Sequence, residues 1–113
     1  MEKSSKLIDW HTPVTKEIVQ QAIDKWGLTP QLDMLIEECA ELIIATCKHK
    51  RAVDCDEISL REIETMRFNI AEEMGDVLIM ISQIASILVI ESEVHDSMDK
   101  KIQRLKKRLR DDE

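Results

Sequence analysis

Acidic side chains at helical spacing are the residues whose types and positions indicate chemistry in this sequence. Glu38 and Glu41 lie three positions apart, and Glu73 and Asp76 repeat that spacing 35 residues further along. Residues three apart share one face of a helix, so each pair would project two carboxylates in one direction. Aliphatic residues follow each pair, which places that face toward a core or cleft, where ionised carboxylates are poorly solvated. The pattern therefore indicates a counter-ion, and a hard divalent cation suits oxygen ligands.

A further acid stands directly before each pair, so the chain contains two matched acidic motifs. The first motif is Glu37-Glu38-x-x-Glu41 and the second motif is Glu72-Glu73-x-x-Asp76. At about 100° per residue, the three acids of one motif fan over one side of a helix. A single Glu-x-x-Glu is usually a solvated surface, but two matched copies that each lead into an apolar run favour a shared site. A spare carboxylate can accept a proton from an attacking water, and Glu37 and Glu72 are both candidates for that role.

Helices are the elements that must position these motifs. Two Gly, two Pro, one Phe and no Tyr argue against a sheet-rich fold, which needs turn residues and aromatics. The start signals Thr12-Pro13 and Thr29-Pro30, together with a capping box at Ser59 and Glu62, belong to a pattern of four helices. The expected spans are about 13–26, 30–50, 60–90 and 93–109. Residues 1–113 are expected to form one all-α domain.

The apolar residues of these helices predict a homo-oligomeric helical bundle. The expected buried side of the second helix consists of Leu32, Leu35, Ile36, Cys39, Ile43 and Cys47. From Val77 onward the third helix is apolar on nearly every face, which suits a helix that neighbours cover on all sides. A four-helix unit of this length can hardly provide that cover alone, so a homodimer or homotetramer is expected. Two small residues inside the motifs, Ala40 and Gly75, would let the motif helices approach closely.

The distribution of charge and hydrophobicity excludes two classes of partner. The formal net charge is −7, yet residues 100–110 contain seven basic residues and no acid. The other residues together therefore carry twice the negative net charge of the whole chain. This balance argues against stable nucleic-acid binding, for which a basic surface normally dominates. The most apolar stretch, residues 77–90, is too short for a membrane span and is interrupted by polar residues. Neither a nucleic-acid partner nor a membrane is expected.

Three cysteines, Cys39, Cys47 and Cys55, recur at intervals of eight residues. This interval is not a zinc-ligand spacing, and an odd number cannot all form disulfides within one chain. Residues 1–9 are polar and charged, which is not typical of a signal peptide. Reduced thiols and a cytoplasmic location are therefore expected.

The two acidic motifs resemble the signature of the all-α nucleoside triphosphate pyrophosphohydrolases, the MazG-like superfamily. The resemblance spans about residues 14–108 and includes the helix order and the Val-Leu-Ile run after the last acid. Dimeric dUTPases, dCTP pyrophosphatases and phosphoribosyl-ATP pyrophosphatase are relatives in that superfamily. The resemblance implies hydrolysis of a nucleoside triphosphate, with a dNTP or a non-standard nucleotide among the candidates, to a nucleoside monophosphate and pyrophosphate. It also implies magnesium (Mg²⁺) as cofactor, with manganese (Mn²⁺) as an alternative.

Residue roles follow from the resemblance by position. It assigns four metal ligands: Glu38, Glu41, Glu73 and Asp76. Glu37 completes the first motif and would serve a second metal or orient water. A water attacks the α-phosphorus in this reaction, and Glu37 or Glu72 would accept its proton as the catalytic base.

A basic segment near the end of the chain has two interpretations. On its pattern alone, a solvated amphipathic helix is favoured. The superfamily often places a helix with the pattern Lys-x-x-x-Asn-x-x-Arg after the second acidic pair. Lys101 and Arg108 match that pattern, while Leu105 stands in place of the Asn. The resemblance therefore assigns Lys101 and Arg108 to phosphate binding, and Arg104, which lies between them in the basic segment, is a further candidate for the same role.

The aromatic residues are candidates for contact with a nucleobase. Trp10 and Trp26 each offer a flat face on which a base can stack, although packing at the end of the first helix is the favoured role of Trp26. Phe68 and Asn69, one turn before the second motif, are further candidates. No distinctive motif encodes the preference for a base or a sugar.

Two other functional classes fit parts of the pattern. The first is a non-catalytic helical oligomer, an interaction or regulatory module whose acidic cluster is structural or binds a metal without turnover. The second is a carboxylate-bridged di-iron bundle. That class uses Glu-x-x-His pairs, and neither acidic motif contains a His.

Overall fold

The computed structural model of the chain describes residues 15–111, in which four helices account for all the secondary structure. The helices are α1 (Lys16–Trp26), α2 (Leu28–Val53), α3 (Leu60–Leu88) and α4 (Glu91–Asp111). The prediction of an all-α chain with four helices is confirmed for these residues. Within the same residues, no helix combines the length and the apolar composition that a membrane crossing requires.

The first two helices meet at a glycine. The Thr15 hydroxyl caps α1 by accepting a hydrogen bond of 3.2 Å from the backbone N–H three residues later. The predicted start at residues 12–13 lies outside the described residues. Gly27 has a φ of 84° and separates α1 from α2, because a residue with a side chain is strained in that conformation. The second helix consequently begins at Leu28, slightly before the predicted Thr29-Pro30 signal.

The start of α3 has residues that favour a helix end, whereas its last turn is followed by a residue that does not. Ser59 and Glu62 form the predicted capping box, in which each side chain accepts a hydrogen bond from the other residue's backbone N–H. At the other end, Val89 adopts the left-handed conformation with a φ of 56°. A β-branched residue rarely takes that conformation. The turn lets the Ile90 N–H donate to the Ala85 carbonyl at 3.0 Å and starts α4 at once.

Helices α2 and α3 form the framework of the chain. They make the most extensive contact of any pair, α1 packs against both of them, and α4 contacts α3 alone. Acids and apolar residues of early α2 lie beside late α3, and late α2 lies beside early α3, so the two helices are antiparallel. The acidic motifs therefore lie opposite each other.

The core of a single chain is thin. No large side chain is completely buried within residues 15–111, and the core consists of Val19, Ala22, Ala52, Val77, Met80, Ile84 and Ala85. The radius of gyration is 17.5 Å, whereas a compact chain of this length has about 13 Å. Ile36 and Ile43 are 67% and 63% exposed, and Cys47 is exposed too. The prediction that these three residues are buried is therefore wrong for the single chain, because α3 covers only one side of α2.

The small residues of the motifs do not bring the helices together. A Cβ atom added to Gly75 would meet no heavy atom within 4 Å, and Ala40 is exposed. Each small residue lies two positions after an inward-facing Glu, which is about 200° around the helix. The predicted close approach at these residues is therefore wrong within one chain.

Candidate metal centre

Three carboxylates from the two acidic motifs converge where α2 packs against α3. One oxygen each from Glu38, Glu73 and Asp76 lies within 4.8 Å of the other two. Mg²⁺ binds oxygen at about 2.1 Å, so two opposite ligands of one ion are about 4.2 Å apart. A small inward movement of the side chains would bring all three oxygens to one cation.

Electrostatic repulsion is concentrated on the two half-buried members of this cluster. Burial raises the pKa of Glu38 above its ordinary value of 4.5, and the charges of Asp76, Glu41 and Glu73 raise it further. Burial also raises the pKa of Glu73, followed by the charges of Glu41, Asp76 and Glu72. No Lys or Arg forms an ion pair with these acids in residues 15–111. The cluster is thus a concentration of negative charge without a compensating side chain.

One oxygen of the cluster is isolated from both solvent and protein donors. Glu73 Oε1 is enclosed and accepts no hydrogen bond in the part of the chain that the structure describes. A buried acceptor without a partner is unfavourable, and it is more so when it belongs to a carboxylate. Because the donor set consists of hard oxygens from carboxylates, a divalent cation such as Mg²⁺ or Mn²⁺ fits it.

The other acidic residues of the motifs surround the cluster. The exposed Glu41 side chain lies beside Glu73, where its negative charge adds to the effect of burial and raises the pKa of Glu73. Glu72 is also exposed, and it acts on Glu73 through its charge. Glu37 is exposed and lies outside the group of three. Of the four residues predicted to bind metal, the structure groups Glu38, Glu73 and Asp76, and it places Glu41 beside Glu73 but outside that group.

The predicted phosphate-binding residues lie elsewhere in the chain. Lys101, Arg104 and Arg108 are all exposed on α4. Because α4 contacts α3 alone, and only slightly, it makes no contact with α2. Within residues 15–111, α4 therefore does not complete the acidic site from its own chain.

The comparison with protein families decides the class of this chain. The model of the MazG nucleotide pyrophosphohydrolase domain matches residues 28–109, which include both acidic motifs and most of α4. The chain belongs to the MazG family. The resemblance seen in the acidic motifs is thereby confirmed, and the MazG domain supports a nucleotide pyrophosphohydrolase. No curated protein and no solved structure gives a significant match to the chain.

A pocket of mixed polarity adjoins the acids on one side within the MazG domain. Its volume is about 200 Å³, and it is lined by Glu41, Ile44, Ala45, Lys48, Met66, Asn69 and Glu73. Lys48 lies two helical turns after Glu41 on the same face of α2, so its side chain is the nearest cation that helix α2 offers there. Sequence reasoning missed Lys48, although its spacing of seven residues from Glu41 was a usable signal.

An apolar groove lies on the other side of the acids, and its residues Met34 and Met80 are one helical turn from Glu38 and Asp76. It has a volume of about 480 Å³ and lies between the end of α1, the start of α2 and the middle of α3. Its lining consists of Trp26, Pro30, Gln31, Asp33, Met34, Met80 and Gln83. Trp26 is the last residue of α1 and is 54% exposed, so about half of its surface is accessible in the single chain. Trp10 lies outside the described residues.

Proposed function

We propose that this chain is a Mg²⁺-dependent nucleoside triphosphate pyrophosphohydrolase, acting on an NTP, a dNTP or a non-standard nucleotide. The observation that carries this proposal is the convergence of Glu38, Glu73 and Asp76 in a chain of the MazG family. The products would be a nucleoside monophosphate and pyrophosphate. Mn²⁺ is the alternative cofactor, because its oxygen-ligand preference is similar.

The acids would hold the cofactor at the junction of α2 and α3. Glu38, Glu73 and Asp76 are the proposed ligands, and Glu41 is the proposed fourth, since its carboxyl lies beside that of Glu73. When bound, the metal neutralises phosphate charge and fixes the triphosphate for in-line attack. Glu73 Oε1 is enclosed and has no hydrogen-bond partner among residues 15–111, which supports this role because ligation would satisfy it.

An acid next to the ligands would activate the attacking water. Glu37 and Glu72 are the two candidates for the base. One of them would accept the proton of the water that attacks the α-phosphorus. The bond between the α-phosphorus and the bridging oxygen then breaks, and pyrophosphate leaves. Both side chains are exposed, so each is free to reach a water beside the site.

Basic side chains would hold the leaving pyrophosphate. Lys48 shares a pocket with Glu41 and Glu73, so it is a proposed contact from the same chain. Lys101, Arg104 and Arg108 are proposed as further contacts from α4. Because α4 does not contact α2 in its own chain, the α4 of a neighbouring copy would supply them.

A homodimer or homotetramer would bring such a neighbour into position. The thin core and the exposed Ile36 and Ile43 support this assembly, since a second copy can cover the outer side of α2. All three cysteines are free thiols, which supports the prediction of a reducing, cytoplasmic location. The acidic balance of the chain supports a nucleotide substrate rather than stable binding to a nucleic acid.

A screen for pyrophosphate release tests this function. The wild-type chain is incubated with Mg²⁺ and the common NTPs and dNTPs, together with nucleotides that carry oxidised or methylated bases. We expect release from at least one of them and none from Asp76→Asn, while Glu57→Gln in the exposed connection after α2 keeps the wild-type rate. If the wild type releases none and binds no Mg²⁺, the chain is a non-catalytic helical oligomer instead.

A further inference from the structure

Two side chains that donate hydrogen bonds line the pocket beside Glu41 and Glu73 at its far end from these acids. Asn69 precedes Glu73 by four residues on α3, and Lys48 follows Glu41 by seven residues on α2. Because the two helices are antiparallel, both donors lie on the side of the acids that faces the connection between α2 and α3. The rise of an α-helix places Asn69 about 6 Å and Lys48 about 10 Å from the acids along the helix axes.

The Asn69 side chain is available to a ligand. It is exposed, and it takes part in no side-chain hydrogen bond within residues 15–111. Its amide offers two N–H donors and an acceptor oxygen. Thr65 lies one turn earlier on the same helix, and its hydroxyl donates to the Arg61 carbonyl at 3.1 Å. Asn69 therefore has a hydrogen-bonding capacity that the described part of the fold does not use.

The size and the charge of the pocket suit phosphate groups better than a nucleoside. Its volume of about 200 Å³ is smaller than the roughly 300 Å³ at which small-molecule sites begin. Glu41 and Glu73 attract a cation at one end, whereas Lys48 and Asn69 offer donors to phosphate oxygens at the other. The pocket thus combines a cation-binding end with a donor end, which matches a polyphosphate that carries a divalent cation.

The apolar groove on the other side of the acids offers no comparable donor end. Of the residues that line it in the described part of the chain, Asp33 alone is charged. A carboxylate repels phosphate, so a polyphosphate held at the acids is better accommodated on the side of Lys48 and Asn69.

We propose that the pocket binds the two terminal phosphates of the substrate and that Asn69 determines a preference for triphosphates over diphosphates. The proposal rests on the proposed pyrophosphohydrolase function. In both kinds of nucleotide, water attacks the α-phosphorus and the bond to the bridging oxygen breaks. A triphosphate then yields a nucleoside monophosphate and pyrophosphate, and a diphosphate yields the same monophosphate and orthophosphate. Only the longer chain reaches the donor end, so Asn69 and Lys48 stabilise the transition state of the triphosphate alone.

Steady-state kinetics on the full chain test this preference. Formation of the nucleoside monophosphate is measured with Mg²⁺ for each common NTP and dNTP and for the matching diphosphates. Leu has the shape of Asn without its hydrogen-bonding groups. Asn69→Leu should lower kcat/KM for the triphosphate by about 10- to 100-fold and leave the value for the diphosphate within about twofold. The control Thr65→Val, which also preserves the shape of the side chain, should change neither value.

A second variant of the same residue distinguishes phosphate from a second cation in the pocket. Asn69→Asp keeps the size of the side chain but replaces the donating amide by a carboxylate, which repels phosphate and attracts Mg²⁺. We expect kcat/KM for the triphosphate to fall further than in Asn69→Leu. Activity of Asn69→Asp at or above that of the wild type would overturn the proposed phosphate contact.

Calorimetry with Mg²⁺ and pyrophosphate provides a readout that does not depend on turnover. The wild type should bind pyrophosphate more tightly than orthophosphate, and Asn69→Leu should weaken the binding of pyrophosphate by about tenfold. If the variant shows this loss while the wild type hydrolyses no nucleotide, the proposed function is refuted and the phosphate pocket stands. An unchanged affinity for pyrophosphate in Asn69→Leu, in a wild-type background that hydrolyses nucleotides, would overturn the pocket and leave the proposed function standing.

Discussion

The acidic motifs of α2 and α3 and the basic residues of α4 differ in how firmly helix packing positions them. The acids of α2 and α3 are fixed by the most extensive helix contact in the chain, and two of them are half-buried. In the part of the chain that the structure describes, the basic residues of α4 lie on a helix with no buried residue, and this helix contacts only α3. The acidic site is therefore organised within one chain, whereas the basic helix gains a defined position only from additional contacts.

The two regions therefore differ in the free-energy cost of holding their charged side chains in place. Bringing like charges together is unfavourable, and the packing of α2 on α3 maintains it against the repulsion that raises the pKa of Glu38 and Glu73. The basic residues oppose no such packing, because water solvates them fully on α4. We therefore expect changes at the acids to have larger effects than changes on α4.

The largest expected effect comes from removing one carboxylate of the cluster. Glu73→Gln keeps the size of the side chain but removes a charged ligand, so pyrophosphate release should fall by at least about 10³-fold, equivalent to several kcal/mol of transition-state stabilisation. The measurement is kcat/KM at saturating Mg²⁺.

The matched control lies on the same helix. Glu64→Gln removes an exposed carboxylate that pairs with Arg67 at 2.9 Å, and it should leave kcat/KM within about twofold because such a pair contributes little. An equal loss in both variants would mean that α3 is sensitive to charge in general, and that the cluster has no special role.

A smaller effect is expected on the basic side of the comparison. Lys101→Ala and Arg108→Ala should each lower kcat/KM by about 10- to 100-fold, since each removes one charge-assisted contact to phosphate. Lys106→Ala removes a positive charge from the same exposed helix and serves as the control. If all three variants keep wild-type activity, α4 is a solvated amphipathic helix, as its pattern alone indicates.

The acidic site could be predicted from the sequence more completely than the rest of the molecule. The periodicity of Glu38, Glu73 and Asp76 specifies a shared helix face, and antiparallel packing of adjacent long helices then brings the faces together. The exposure of Ile36 and Ile43 could not be predicted from periodicity. An apolar residue gives the same sequence pattern whether its own chain or another copy covers it. Spacing also could not predict that Glu73 Oε1 is enclosed without a hydrogen-bond partner in residues 15–111, because this depends on the packing of the two helices.

The acidic cluster should also make the free energy of unfolding depend on pH. The raised pKa values of Glu38 and Glu73 mean that the folded, metal-free chain binds more protons than the unfolded chain above pH 4.5. The free energy of unfolding should therefore decrease as the pH rises from 4.5 through the raised pKa values. Urea unfolding in the presence of a chelator measures this decrease.

Replacement of the acids should flatten that dependence. Glu38→Gln and Glu73→Gln together remove the two groups with raised pKa values, while Glu64→Gln leaves them in place. Addition of Mg²⁺ at neutral pH should stabilise the wild type and not the double variant. A stability that increases with pH in the metal-free wild type would contradict the account of repulsion within the cluster.

The smallest expected effect lies at the turn that joins the two regions. Val89 is exposed and has a φ of 56°, which costs a β-branched residue about 1 kcal/mol or more. Val89→Gly should therefore raise the free energy of unfolding by about 1 kcal/mol. Ser97→Gly in exposed α4 should lower it by several tenths of a kcal/mol. A lower stability of Val89→Gly would show that the Val89 side chain packs against another copy.

The most direct test of the central claim is the position of a divalent cation in a crystal. Crystals grown with Mn²⁺ and a nucleotide whose α,β-bridging oxygen is replaced by an imido group would locate the metal by its anomalous scattering. We expect an anomalous peak bounded by the carboxylates of Glu38, Glu73 and Asp76. A nucleotide-bound crystal without a peak there, in which basic side chains of another copy neutralise these three acids, would contradict it.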